Sequence, residues 1–300
     1  MPIDESRELD NSPHMRRIVQ VMLDLRRGSL EGAKILDLGS AHGLYTLESA
    51  KRGATALGIE GRPAWVEQAN AAKETLSLEN ARFEVGDVRR LAPERLGKFD
   101  VTLCLGLLYH LEAREAFELL AKLYEMTTDF LIIDTQFALS PQSDVEILGH
   151  DYSGCLFPEH PPGTSREDME ANLGAALDGS HSFWFTLPSL LNMLGDIGFS
   201  SVMQLQWPVD YLLARGEPKV HEDYVTLIAF AGQSVREVHG TQPLPLIRRS
   251  ENADNMILAR GWERVGWENR RDVETTTASD APRRSLIGRF AAAVRAFQNS

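Results

Sequence analysis

Between Ala33 and Thr135 the chain alternates short apolar runs with amphipathic stretches, and no other feature limits its possible folds as tightly. "AKILDL" (33–38), "TALGIE" (55–60), "ARFEVGD" (81–87), "FDVTLCLG" (99–106) and "DFLIIDT" (129–135) each read as a strand buried in a sheet. Between them lie helical patterns: "LYTLESAKRG", stopped by Gly53; a stripe of Trp65, Ala69, Ala72 and Leu76; and "AREAFELLAKLYEM", with Ala116, Leu119, Leu123 and Met126 on one face. Met15, Ile18, Met22 and Leu25 predict a further helix before the first strand. Parallel neighbours need a helical, right-handed crossover, so this order specifies helices on both faces of a parallel sheet.

Two further strands, "SSVMQLQW" and "DYVTLIAFAG", are separated by polar residues including Gly216 and Pro218 and are expected as an antiparallel pair at the sheet edge. The expected fold is thus α/β: a doubly wound, seven-stranded, mostly parallel sheet. From Gln136 to Phe185 the alternation stops and a stretch rich in Pro, Gly and acids intervenes before the helix "LPSLLNMLGDIGF", ended by Gly198. Structureless insertions of that length inside domains are commonly lids or binding elements. The expected organisation is an N-terminal helical segment (1–32) and a core domain (33–232) carrying a lid (136–185). An irregular tail (233–300) follows, with one basic amphipathic helix in "SLIGRFAAAVRAF" (285–297).

The formal net charge is −12, from 43 acids against 31 Lys and Arg, which disfavours nucleic acid as a partner because phosphate-backbone binding needs clustered cations. Two cysteines, Cys104 and Cys155, fit a reducing compartment rather than a disulfide framework or zinc cluster. With no signal-peptide pattern at the start and no apolar stretch of membrane-spanning length, the chain is expected to be cytoplasmic, without an integral membrane segment.

The loop after the first strand fails the dinucleotide fingerprint: of positions 39, 41 and 44 only the first is glycine. No Lys-Ser or Lys-Thr follows, so a phosphate-binding loop fails as well. What stands there, Asp37-Leu38-Gly39-Ser40-Ala41-His42-Gly43, resembles the acid-x-Gly-x-Gly-x-Gly loop of the class I S-adenosylmethionine (SAM) methyltransferases, with Ala41 in place of the central glycine. Glu60 at the end of the second strand and Gly86-Asp87-Val88 after the third stand where that family carries its ribose and adenine contacts. Singly, Glu60 and Asp87 would read as strand-end acids or helix caps. Together with the loop, on one edge of one sheet, they make the resemblance specific over 33–232. It implies a Rossmann-like methyltransferase fold, S-adenosyl-L-methionine as cofactor, and a cofactor site of Asp37, Gly39, Ala41, Gly43, Glu60, Asp87, Val88 and Leu105.

Tyr109-His110 falls just past the fourth strand, where the methyl donor should lie, and His110 is the candidate catalytic base for an O–H or N–H acceptor. Methyl transfer from a sulfonium is an in-line displacement that positioning alone can accelerate, so a base is not obligatory. Tyr109, with Tyr152, His181 and Trp184 from the lid, is the candidate substrate wall. "CLGLLYHLEAREAF" and "LPSLLNMLGDIGF" are more loosely similar to the tRNA wobble-uridine carboxymethyltransferase-like subgroup. Between Ser140 and Ser182, however, eight acids face a single base, Arg166, and such a lid would repel a polyanion. A small-molecule acceptor is therefore expected, with tRNA modification as the alternative. No metal is expected, since no H-x-x-x-H spacing occurs.

Overall fold

The computed structural model describes residues 13–172, 174–205 and 223–232. Helix α1 (Pro13–Leu25) precedes β1 (Lys34–Leu38), α2 (Leu44–Lys51), β2 (Thr55–Glu60), α3 (Pro63–Thr75) and β3 (Ala81–Val85). A short α4 (Pro93–Leu96), β4 (Phe99–Leu105), α5 (Ala113–Met126) and β5 (Thr127–Gln136) complete the parallel set. Then come β6 (Ser143–Ile147), β7 (His150–Pro158), α6 (Arg166–Ala171), β8 (His181–Phe185), α7 (Leu187–Ile197), β9 (Ser201–Leu205) and β10 (Tyr224–Phe230). Single 3-10 turns at Val88–Arg90 and Leu108–His110 follow β3 and β4.

The main sheet has seven strands in the order β3-β2-β1-β4-β5-β10-β9. β1 to β5 are parallel, and β10 lies antiparallel between β5 and the edge strand β9. Strand side chains alternate between faces, and the core divides accordingly. Ile35, Val101, Leu103, Phe130 and Ile132 pack with Met15, Ile18 and Met22 of α1, Leu47 of α2 and Val66 of α3. Leu36, Leu38, Cys104, Leu131 and Ile133 pack with Leu119 and Leu123 of α5 and Leu190 and Met193 of α7. At about 25 cal/mol per Å² of apolar surface removed from water, two such layers supply the main driving force for this architecture. Helix α7 is bounded as its sequence requires: the Thr186 hydroxyl accepts the Ser189 N–H at its start, and Gly198 at φ 128° ends it. The order of strands reverses between β1 and β4, and in open α/β sheets the crevice at such a switch point, outside the carboxyl ends of the strands, is where ligands bind.

The 136–185 segment differs from the structureless expectation. It forms a second sheet, β6-β7-β8, antiparallel throughout. Alternate residues of β7 and β8 turn inward, so that Tyr152, Phe183 and Phe185 join the α5–α7 core layer. Polar and turn residues between these short strands mask the period of two. The expected helix at 285–297, the rest of the 233–300 tail and the stretch holding Gly216 and Pro218 lie outside the described residues.

Candidate active site

The crevice begins at the loop between β1 and α2. Gly39, Ala41 and Gly43 all take left-handed backbone angles, φ 63°, 47° and 81°. Only glycine fits at 43, because a Cβ there would lie 2.4 Å from Phe83 Cζ of β3. Ala41 holds the same conformation with a methyl group, which a residue of L configuration adopts at a cost. Asp37 lies beneath the loop, 1% exposed, and accepts the Thr46 hydroxyl at 2.7 Å. Burial pushes its pKa up to about 7; the Thr46 hydrogen bonds oppose the rise and the neighbouring Glu60 adds to it. Glu60, also buried, accepts the Ala41 N–H on Oε2 at 3.0 Å and the Arg62 N–H on Oε1 at 2.9 Å. One carboxylate thus ties the glycine loop to the turn after β2, and each of its oxygens keeps capacity for a further donor.

Asp87 caps the turn after β3 by accepting the Arg89 N–H at 3.0 Å, and the Arg89 guanidinium grips the same carboxylate at 2.9 Å. Burial works against its charge, yet the Arg89 contacts outweigh burial and hold its pKa below the ordinary value. Arg89 also reaches Glu115 and, at 2.8 Å, Asp178 of the inserted segment. Arg62, which stacks over Trp65 at 5.0 Å, donates to the carbonyls of Glu170, Asn172 and Ala175. Leu177 comes so close to Gly61 that a Cβ there would be 2.7 Å from its Cδ2. The 170–178 stretch is therefore fastened across the ends of β2 and β3 by two arginines. Sequence reasoning missed both, since their partners in that stretch are main-chain carbonyls and an acid about a hundred residues away. Val88 turns into the α5–α7 core layer and Leu105 ends β4, half-buried against the other. Leu107, just beyond, lies over Gly39.

Beyond β4 a second group gathers. His110 Nδ1 stands 3.0 and 3.1 Å from the two oxygens of Glu159, which is buried and also accepts the Ala176 N–H at 2.8 Å. Burial disfavours the Glu159 charge, but the His110 and Ala176 contacts prevail and its pKa falls below the usual range. The Tyr109 ring lies 4.3 Å from that of His110, and burial raises its phenol pKa to about 12. Trp184 donates Nε1–H to the Tyr109 carbonyl at 3.0 Å and stacks on Phe157 at 4.1 Å. Glu159 was one of the lid acids counted in the sequence, and nothing local to it marks it as a partner of His110.

Two expected wall residues fall elsewhere. Tyr152 is completely buried, packed against Phe117 and Phe185, with its hydroxyl donating to Asp196 at 2.8 Å; it is a core residue, put there by the inward parity of β7. His181 is exposed at the start of β8, its Nδ1 2.8 Å from the Ser180 hydroxyl. Among the described residues no group of three or more His, Cys, Asp or Glu could hold a metal ion, and no helix is long and apolar enough to cross a membrane.

Residues 35–129 match a family model described as a methyltransferase domain. The chain is 34% identical over 90 residues to the ubiquinone biosynthesis O-methyltransferase of Acinetobacter baumannii (strain AYE), an alignment covering 29% of this chain and 37% of that protein. It is 28% identical over 141 residues to the magnesium-protoporphyrin O-methyltransferase of Rhodobacter capsulatus, covering 46% of this chain and 58% of the relative. The chain thus spans little more than a third to somewhat over half of these curated relatives. Among solved structures, the N-terminal domain of EvdMO1, crystallised in the presence of SAH and D-fucose, superposes with a TM-score of 0.58 at 22% identity, over 74% of this chain and 85% of that one, a likeness of fold.

Proposed function

We propose that this chain, which carries a class I methyltransferase domain of the S-adenosylmethionine-dependent family, transfers a methyl group from that cofactor to an O, N or C atom of a small-molecule acceptor in the cytoplasm. The observation that carries this reading is the buried Glu60 carboxylate, bonded to the left-handed Ala41 of the glycine loop and left with accepting capacity at the end of β2. The residues fit the cofactor. A buried acid beside a loop that admits close approach suits two ribose hydroxyls, and Asp87 after β3 suits the adenine amino group. Gly39, Ala41 and Gly43 form the loop and Asp37 supports it from below; Leu105 ends β4, and Val88 follows Asp87 with its side chain in the α5–α7 core layer. When bound, the cofactor supplies an electrophilic methyl on a sulfonium.

Tyr109 and Trp184 wall the acceptor space. His110 takes the acceptor's proton, and the Glu159 carboxylate orients its ring and stabilises the imidazolium that forms. The 136–185 insertion covers the site, held down through Arg62 and Arg89. Its excess of acids favours an acceptor without a phosphate backbone, which sets the tRNA alternative aside. Glu60→Ala is expected to weaken SAM binding by about 1–3 kcal/mol, the cost of unpaired ligand hydroxyls. Calorimetric titration measures it, and unchanged affinity in a folded variant would refute the cofactor assignment.

A further inference from the structure

A second histidine–carboxylate pair lies beside the first. Asp134, near the end of β5 and 1% exposed, receives the Thr226 hydroxyl on Oδ1 at 2.7 Å and the Tyr224 hydroxyl on Oδ2 at 3.0 Å, both from β10. His14 of α1 brings Nε2 to 2.6 Å from the same Oδ2, while its Nδ1 is 3.0 Å from the Tyr45 hydroxyl in the first turn of α2. The Tyr109 ring sits 6.5 Å from that of Tyr224, and the Gly106 N–H donates to the Asp134 carbonyl at 2.8 Å. These side chains arrive from α1, α2, β5, β10 and the turn after β4. They meet at the carboxyl edge, next to the helix that the glycine loop opens.

We propose that Tyr45, Tyr109 and Tyr224, gathered with His14 on Asp134, form the acceptor site, and that it takes an uncharged ring bearing hydroxyl groups. The assignment rests on the methyl-transfer reading above and adds the acceptor class. Direct pairing with a cationic acceptor is disfavoured, because both Asp134 oxygens already hold partners, Oδ1 the Thr226 hydroxyl and Oδ2 the Tyr224 hydroxyl and His14 Nε2. An anionic one is disfavoured by the same carboxylate and by the acids of the insertion. A carboxylate facing Nε2 places the ring proton there, so Nδ1 accepts from the Tyr45 hydroxyl and turns that phenol oxygen into an acceptor for a ligand O–H. The phenol faces of Tyr109 and Tyr224 suit a flat or ring-shaped body. Tyr45 touches the acceptor, whereas His14 and Asp134 are positioning residues that fix the direction of its hydroxyl.

The test uses the full chain loaded with S-adenosylhomocysteine (SAH), titrated by calorimetry with catechol, with methyl α-glucoside and with anisole, a ring lacking a hydroxyl donor. At least one hydroxylated probe is expected to bind, catechol if the acceptor is a phenol and the glucoside if it is a sugar. Tyr45→Phe, which keeps the ring, should weaken that probe about tenfold, the loss of one hydrogen bond, and leave anisole and SAH affinities unchanged. His14→Ala should weaken the probe similarly, and His14→Gln, which restores an acceptor for the Tyr45 hydroxyl, should recover part of the loss. A purely structural role for His14 would instead lower thermal stability in both variants without separating them in probe affinity. Failure of SAH to bind overturns the methyl-transfer reading and this assignment together. SAH binding with no hydroxylated probe bound, or with Tyr45→Phe equal to the unaltered protein, overturns the acceptor assignment alone.

Discussion

The two halves of the crevice are built in opposite ways. On the side of β1, β2 and β3 the three acids are held by near neighbours in the chain, although Arg62 and Arg89 also reach out to the insertion: Asp37 by Thr46, nine residues on; Glu60 by Ala41, nineteen back, and Arg62, two on; Asp87 by Arg89, two on. On the side of β4, β5 and β10 the side-chain contacts that gather the group are distant. His110 meets Glu159 across 49 residues, Tyr109 meets Trp184 across 75, and Asp134 meets Tyr224 across 90. A local device is preorganised by the strand–loop–helix unit that carries it. A distant one exists only when the whole sheet and the insertion have closed. On the proposed reading, the first half holds a cofactor shared by many proteins and the second an acceptor particular to this one.

The largest expected effect probes how firmly the local half is built. The folded Asp37 carboxyl keeps its proton up to about pH 7, while the unfolded chain releases it near 3.8. Between those values the native state binds more protons, so this group's contribution to stability falls as pH rises through the window, by about 4 kcal/mol in all from a shift of this size. Asp37→Asn has no proton to lose. Its stability relative to the unaltered protein should rise steadily from pH 4 to pH 8 in urea melts, after a fixed offset from its unmatched amide N–H. A parallel pair of pH curves would show that Asp37 is not held protonated and that the loop rests on a charge instead.

The distant half carries the next effect. His110→Ala should cost roughly a hundredfold in turnover for an O–H or N–H acceptor, the usual worth of a positioned base. Glu159→Gln, which keeps a hydrogen-bonding oxygen but removes the charge that stabilises the imidazolium, should cost less. Thermal stability measured on the same preparations separates this from a structural part for His110. If His110→Ala lowered the melting temperature while turnover survived, the β4 side would be a joint between insertion and sheet rather than chemical machinery. A carbon acceptor already activated for attack is the one chemistry in which a weaker loss is expected with His110 in place.

The same difference in range decides how far the sequence could be read. The sheet was legible because its strands and helices each carry their own period, and the loop because Asp37 to Gly43 and the strand-end acids are short signals at characteristic places. Tyr152 was misread as a wall residue because β7 mixes Gly, Ser and Asp with its apolar positions, so the inward parity that buries the phenol emerges only when β7 pairs with β6 and β8. Glu159, Asp134, Arg62 and Arg89 gave no signal of their roles. Each is an ordinary charged residue until folding supplies a partner: a histidine from a distant turn for Glu159, a histidine from helix α1 for Asp134, and main-chain carbonyls or an acid of the insertion for the arginines. His110 was visible only through its place after β4, and the carboxylate that gives its ring a direction was not.

The smallest effect returns to the one point where the local half departs from its own pattern. Ala41 stands where glycine is usual and adopts φ 47°. A left-handed conformation costs an L-residue about 1–2 kcal/mol. Glycine at that position would remove the cost and concede about 0.4–1 kcal/mol through the greater freedom of the unfolded chain. The difference leaves Ala41→Gly more stable by roughly 0.5–1 kcal/mol, a rise of about 1–4 °C in melting temperature for a domain of this size. The Ala41 N–H that Glu60 accepts belongs to the main chain and survives the change, so SAM affinity should stay within about twofold of the original. A loss of stability would mean that the methyl group packs usefully enough to outweigh its strain. A marked loss of SAM affinity with stability gained would mean that the strained alanine holds the loop in its binding shape, making this half of the crevice less self-sufficient than its short-range contacts imply.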